Sequence, residues 1–164
     1  MSFETLGLEP VLLSALQNAG FSSPTPVQSA SIPKALEGLD LMVSAQTGSG
    51  KTAAFMLPAL NRIAQAAAEN KKGQNVQVLV LTPTRELAMQ VAEATKNYGA
   101  GIKGLHTAMK SGMVAAESVF EAIKDGDEGG QELASFTSKW EASWAYQELK
   151  ESASFGPAIH KYGT

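Results

Sequence analysis

The chain has 164 residues, 44% of them apolar, a size and composition that normally make one compact domain with its own core. A formal charge of −3 supplies no long-range pull on nucleic acid, so an RNA contact needs a local cluster of Lys and Arg. The absence of cysteine excludes disulfides, thiolate zinc sites, cysteine-held iron–sulfur clusters and thiol nucleophiles. No apolar run is of bilayer length and no basic leader precedes one, so the expectation is a cytoplasmic chain with no membrane partner.

In chain order, Pro10 followed by Val11, Leu12, Ala15, Leu16 and Ala19, with Gly20 after them, predicts a short amphipathic helix. Thr25-Pro26 opens a second helix, Thr as cap and Pro at the first position, which Pro33 interrupts and Gly38 ends. Leu39 to Ala45 is a mostly apolar run entering a Gly-rich turn, the pattern of a buried parallel strand. A helix is expected from about Lys51 to Asn70, with a kink at Pro58. Residues 71–75 read as a surface connection, and Val76 to Leu81 as a second buried strand, making one βαβ unit.

Another helix follows from Arg85 to Asn97, broken by Gly99, Gly101 and Gly104. Beyond it Ala108, Met109, Met113, Ala116, Val119, Phe120 and Ile123 fall at helical spacing. The stretch Asp125-Gly126-Asp127-Glu128-Gly129-Gly130 is a loop signal. Leu133, Phe136, Trp140 and Trp144 then mark one face of a last helix, ended by Gly156-Pro157.

Chemistry concentrates in Ala45-Gln46-Thr47-Gly48-Ser49-Gly50-Lys51-Thr52, between a predicted strand and a predicted helix. Small residues let backbone N–H groups wrap a β-phosphate at a helix N-terminus. Lys51 can neutralise β/γ oxygens there, and the Thr52 hydroxyl can ligate Mg²⁺. A rival pattern, G-x-G-x-x-A over Gly48 to Ala53 with Glu69 downstream, fits a dinucleotide site, and the Gly50-Lys51-Thr52 triplet decides against it.

The segment Gly20-Phe21-Ser22-Ser23-Pro24-Thr25-Pro26-Val27-Gln28, with Phe3 as an isolated upstream aromatic, resembles the Q motif of the DEAD-box RNA helicases. That resemblance implies that Gln28 reads the adenine edge, a pairing glutamine can make at N6 and N7, and that Phe21 stacks on the ring. Pro83-Thr84-Arg85-Glu86-Leu87-Ala88 resembles the same family's motif Ia, which assigns Thr84 and Arg85 to the RNA backbone. The plainer reading is Thr84 as a helix cap with Arg85 solvated. The likeness spans roughly residues 2–98 and implies a bound ATP or ADP, with Phe21, Gln28 and Gln46, Thr47, Gly48, Ser49, Gly50, Lys51 and Thr52 holding it and Thr52 on the metal.

A working enzyme of that family also uses an acidic motif II, a motif III and a second RecA-like domain with arginine fingers. None of these is in the sequence, and an arginine finger alone is worth about 10³–10⁵ in rate, so negligible turnover and at most weak RNA binding are expected. From about Ile102 to Thr164 the chain resembles instead electron transfer flavoprotein–ubiquinone oxidoreductase, through Ile102 to Glu117, Ser143-Trp144, Glu148-Leu149 and Phe155 to Lys161. In that family the first of these segments leads a helix whose end faces the flavin. Ala153-Ser154 replaces its usual Arg-Asn, and its Gly-rich dinucleotide motif and cluster cysteines are missing, so no flavin is expected.

The expected fold is thus α/β: a truncated RecA-like βαβ core with a small parallel sheet over residues 1–98, then a helical tail over 99–164. In the helicase family, strands absent here separate the P-loop strand from the motif Ia strand, leaving a gap that closes by direct pairing of the two strands or is filled by tail helices, with a protein partner or a second copy as a further cover for the edge. Three functions compete: a nucleotide-binding module, a scaffold whose tail presents Trp140 and Trp144 to a protein partner, and a flavin or electron-transfer protein, against which the missing motifs count.

Overall fold

The computed structural model describes residues 2–69, 77–102, 105–126, 134–147 and 150. Within them the chain runs through a 3-10 turn at Phe3–Leu6, then α1 (Pro10–Asn18), α2 (Pro26–Leu36), α3 (Lys51–Ala68), α4 (Arg85–Tyr98), α5 (Leu105–Lys124) and α6 (Ala134–Glu141). It divides into two units, Met1–Leu105 and His106–Thr164.

In the first unit α3 is the centre, because α1, α2 and α4 all pack against it. Its sequence fits that position: Ala53, Leu57, Leu60 and Ala64, with Met56, fall at three- and four-residue spacing and are buried, the stripe of a core-facing helix. Leu12 and Leu16 from α1 and Ile32 from α2 are sealed from solvent alongside Leu57 and Leu60. Each such side chain contributes about 1.5–3 kcal/mol on burial. A polar lock sets the approach of α1, since buried Asn61 of α3 accepts a hydrogen bond from the Glu9 amide at 2.7 Å. Beyond α4 the chain turns back closely at Gly101, where a Cβ would collide with the Val11 side chain.

Helix ends follow local chemistry. Thr25 caps α2 with Pro26 at the first position, and Thr84 caps α4 by accepting from the Leu87 amide at 3.2 Å. Pro33, expected to interrupt α2, instead lies inside it. The helix continues past the missing N–H with Glu37 donating to the Pro33 carbonyl at 3.0 Å, while Ile32 anchors the same turn in the core. Pro58 likewise lies within α3 and is buried.

The larger correction concerns the sheet. The expected α/β fold with parallel strands at Leu39–Ala45 and Val76–Leu81 is not formed: the described residues are helical or irregular, and neither 39–46 nor 77–82 pairs in a ladder. A strand exists only when a neighbour accepts and donates its backbone hydrogen bonds, and neither run has one. Their apolar side chains are correspondingly open, Met42 fully and Leu81 at 84% exposure.

In the second unit α5 buries Val114 and Ser118, and Ser143 and Ala145 are buried beyond α6. A 2.6 Å ion pair joins Glu121 of α5 to Lys139 of α6. The predicted last helix stops earlier than its apolar spacing suggests. After Glu141 the chain turns at 142–143 before another helical turn at 144–147, so Trp140 meets Tyr146 edge-on at 6.3 Å while Trp144 is half-exposed. The connection at 71–75, Val76, Leu133, residues 127–130 of the acidic loop, Glu148-Leu149 and the 151–164 segment lie outside the described residues.

Candidate nucleotide-binding loop

Residues 46–50 form a tight turn into α3, with the Ser49 amide donating to the Gln46 carbonyl at 3.3 Å. Gly48 and Gly50 both take the left-handed conformation, at φ 79° and 88°, where a side chain would strain the backbone. Gly50 is also the N-cap of α3, so the loop delivers the chain to a helix start whose first-turn amides have no partner inside the helix. That first turn has no acidic side chain, leaving the helix dipole and Lys51 as the local charge.

Lys51, the first residue of α3, folds back over the loop. Its ammonium donates to the carbonyls of Ala45 and of Gln46, the latter at 2.7 Å. An ammonium has three N–H donors, so one remains for a ligand. Ser49 Oγ is buried and has no hydrogen-bond partner among the described residues. Buried hydroxyls are rarely left so, which marks the inside of this turn as a place suited to an acceptor such as a phosphate oxygen. Gln46 and Thr47 are exposed, and Thr52 is half-buried on the first turn of α3. The donor set therefore fits a phosphate chain with its cation.

Gln28 is the residue brought to this loop from a distance. It is buried, its carboxamide nitrogen donates to the Gly50 carbonyl at 3.1 Å, and its oxygen accepts from the Thr25 amide at 2.9 Å. The same carbonyl receives the Ala54 amide at 3.1 Å. Gln28 thus ties the start of α2 to the start of α3. A side chain on Gly50 would strike this carboxamide, so glycine there is required by contact as well as by φ. The reciprocal Thr25–Gln28 pair is a capping box. Its sequence signature, Thr-x-x-Gln, was present for reading and identifies Gln28 as structural in its own right.

The other predicted residues lie apart from this cluster. Phe21 is half-buried, in T-shaped contact with Phe3 at 6.4 Å and with Tyr98 at 5.6 Å, so its ring belongs to an aromatic cluster that joins the 3-10 turn to the end of α4. Tyr98 was not singled out from sequence, and burial pushes its phenol pKa up. A cavity of about 570 Å³ opens beside Phe3, Gln17 and Phe21. Thr84 has its hydroxyl committed to the α4 cap and Arg85 is exposed, the arrangement of the plainer reading. No hydrogen bond among the described residues joins α4's start to the loop. No cluster of three or more His, Asp or Glu suited to a metal occurs among the described residues, and no described helix is long and apolar enough to cross a membrane.

The chain is 43% identical over 125 residues to the ATP-dependent RNA helicase DeaD of Buchnera aphidicola, covering 76% of this chain and 20% of that protein. It is 43% identical over 123 residues to the ATP-dependent RNA helicase DRS1 of Kluyveromyces lactis, covering 75% and 16%. Among solved structures, a DEAD box protein from Methanococcus jannaschii matches with a TM-score of 0.53 and 37% identity, over 60% of this chain and 26% of that one. The RNA helicase Prp28 of Chaetomium thermophilum, bound to ADP, matches with a TM-score of 0.54 and 38% identity, over 62% and 24%. The chain spans about a fifth of the length of these curated relatives. The sequence profile of the DEAD/DEAH box helicases matches residues 25–141, and with the Gly48–Thr52 loop seated at the start of α3 the chain belongs to that family.

Proposed function

We propose that residues 46–52 bind ATP or ADP with Mg²⁺, making this chain a nucleotide-binding helicase-like module with no helicase cycle of its own. The observation that carries the reading is the loop itself: Lys51 is held over a Gly48–Gly50 turn whose buried Ser49 hydroxyl has no partner among the described residues. Backbone amides of the turn and of α3's first residues would take the β-phosphate, the third Lys51 donor a γ oxygen, and Thr52 the cation. Gln28 retains one amide N–H and one oxygen lone pair, the groups that adenine N7 and N6 take, and Phe21 is the ring assigned to stacking. Arg85, exposed at the start of α4, is the phosphate contact through which RNA binds weakly, next to Thr84.

The helicase profile runs to residue 141, into the 102–164 stretch read from sequence as flavoprotein-like, and that likeness, which no comparison shows, would supply one helix end and no dinucleotide cradle, so we assign no flavin to the tail. Titration with ATP and Mg²⁺ tests the reading. Nucleotide should raise the thermal midpoint in a concentration-dependent way, and Lys51→Ala should weaken binding by at least about tenfold, since a phosphate loses its cationic partner. Hydrolysis should stay at background with RNA present, because motif II, which supplies the metal-holding carboxylate, is not in the sequence. Equal responses of wild type and Lys51→Ala, or Lys51-dependent turnover, would overturn it.

A further inference from the structure

We propose that α5 pairs antiparallel with the α5 of a second copy of this chain. Met109, Met113, Ala116, Phe120 and Ile123 recur along it at alternating spacings of four and three residues, the spacing of a coiled-coil seam. That seam is not the face that carries the buried Val114 and Ser118. Met113, Phe120 and Ile123 are 41%, 69% and 66% exposed.

The flanks of the seam select the occupant. One flank reads Lys110, Glu117, Lys124, and the other Gly112, Val119. When Met113 of one copy faces Ala116 of the other in antiparallel order, Met109 faces Phe120. Lys110 then comes beside Glu117 of the second copy, and Glu117 beside its Lys110, each contact made twice by the two-fold symmetry. On the opposite flank Val119 lies over Gly112, where none of the described residues comes within 4 Å of a Cβ position.

Shifting the pairing by one heptad places Glu117 against Glu117 and Lys110 against Lys124. A parallel pair sets Glu117 by Gly112 and Lys124 by Val119, with no charge matched. The charge pattern is therefore self-complementary in one orientation and one register, as flanking positions set partner choice in coiled coils. The seam covers about two heptads, so the interface is small and its affinity falls in the micromolar range of transient contacts.

Sedimentation velocity on the full chain over the micromolar range tests this. Wild type should pass from monomer to dimer with concentration. Phe120→Gln, at an exposed position that leaves the fold intact by circular dichroism, should weaken association by at least roughly a hundredfold. Lys110→Glu and Glu117→Lys should each weaken it roughly tenfold, and an equimolar mixture of the two variants should regain it, because every flank contact is then again between opposite charges. A chain monomeric at all concentrations, a dimer indifferent to Phe120→Gln, or charge variants that fail to rescue one another on mixing would each overturn the proposal.

Discussion

Helices α3 and α5 are of nearly equal length and both amphipathic, yet they occupy opposite situations. Around α3 three helices close in, and its apolar residues Leu57 and Leu60 are sealed from water. Along α5 one face is buried, at Val114 and Ser118, while Phe120 and Ile123 stand in solvent. Apolar content alone does not tell the two apart. What separates them is how many neighbours the rest of the sequence supplies, and whether the apolar stripe is broad enough to meet more than one.

The widest test of that difference is stability. Leu57→Ala should cost about 2–5 kcal/mol in urea unfolding, because the site is enclosed and the lost methylenes leave a cavity. Ile123→Ala, measured on dilute monomer, should fall within about 0.5 kcal/mol of wild type, as exposed substitutions do. Comparable losses at the two positions would show that α5's outer face is covered within the monomer and would end the distinction.

A narrower test concerns the tie between α2 and α3. Gln28→Leu leaves the Thr25 amide and one of the Gly50 carbonyl's two contacts without a partner, which should destabilise the first unit by about 1–3 kcal/mol. Thr25→Ala, which removes only the cap, should cost about 1 kcal/mol. If Gln28 serves only a nucleotide base, Gln28→Leu will lower affinity and leave the melting of the free chain unchanged.

What the sequence revealed follows the same division. The starts of α1, α2, α3 and α4 were readable because each is a local event: Pro10, the Thr25-Pro26 pair, the Gly50-Lys51 step and the Thr84 cap need no distant partner. The runs 39–45 and 76–81 have strand composition, but a strand is a property of two segments. Nothing along one segment says whether its partner is present, so the sheet was expected and the described parts of both runs are unpaired. The loop's glycines and Lys51 were legible from spacing. The Gln28–Gly50 bond was not, since it links positions 22 residues apart, although its Thr25 half is written in the capping pattern. Tyr98 was missed because a single aromatic in a helix gives no sign of meeting Phe21.

The smallest expected effect is a pH dependence that differs in sign between the units. In the first, burial raises the Tyr98 pKa. The unfolded chain therefore loses that proton first as pH climbs past the ordinary tyrosine range, so stability from this group is intact below that range and declines on the alkaline side. In the second, Glu121 is held below its ordinary carboxylate value, first by its hydrogen bond with Lys139, against a smaller opposing effect of desolvation. A lowered folded pKa means the contribution is present above the ordinary carboxylate range and is lost as pH falls through the folded value. Because Glu121 is exposed, its share is also screened by salt. Thermal melts should accordingly separate the variants: Tyr98→Phe differs from wild type in its alkaline slope alone, and Glu121→Gln in its acid slope alone, with the second difference fading in high salt. An acid-side effect of Glu121→Gln that persists undiminished in concentrated salt would mean the pair is enclosed and not solvated, and would bring α5's surroundings closer to those of α3.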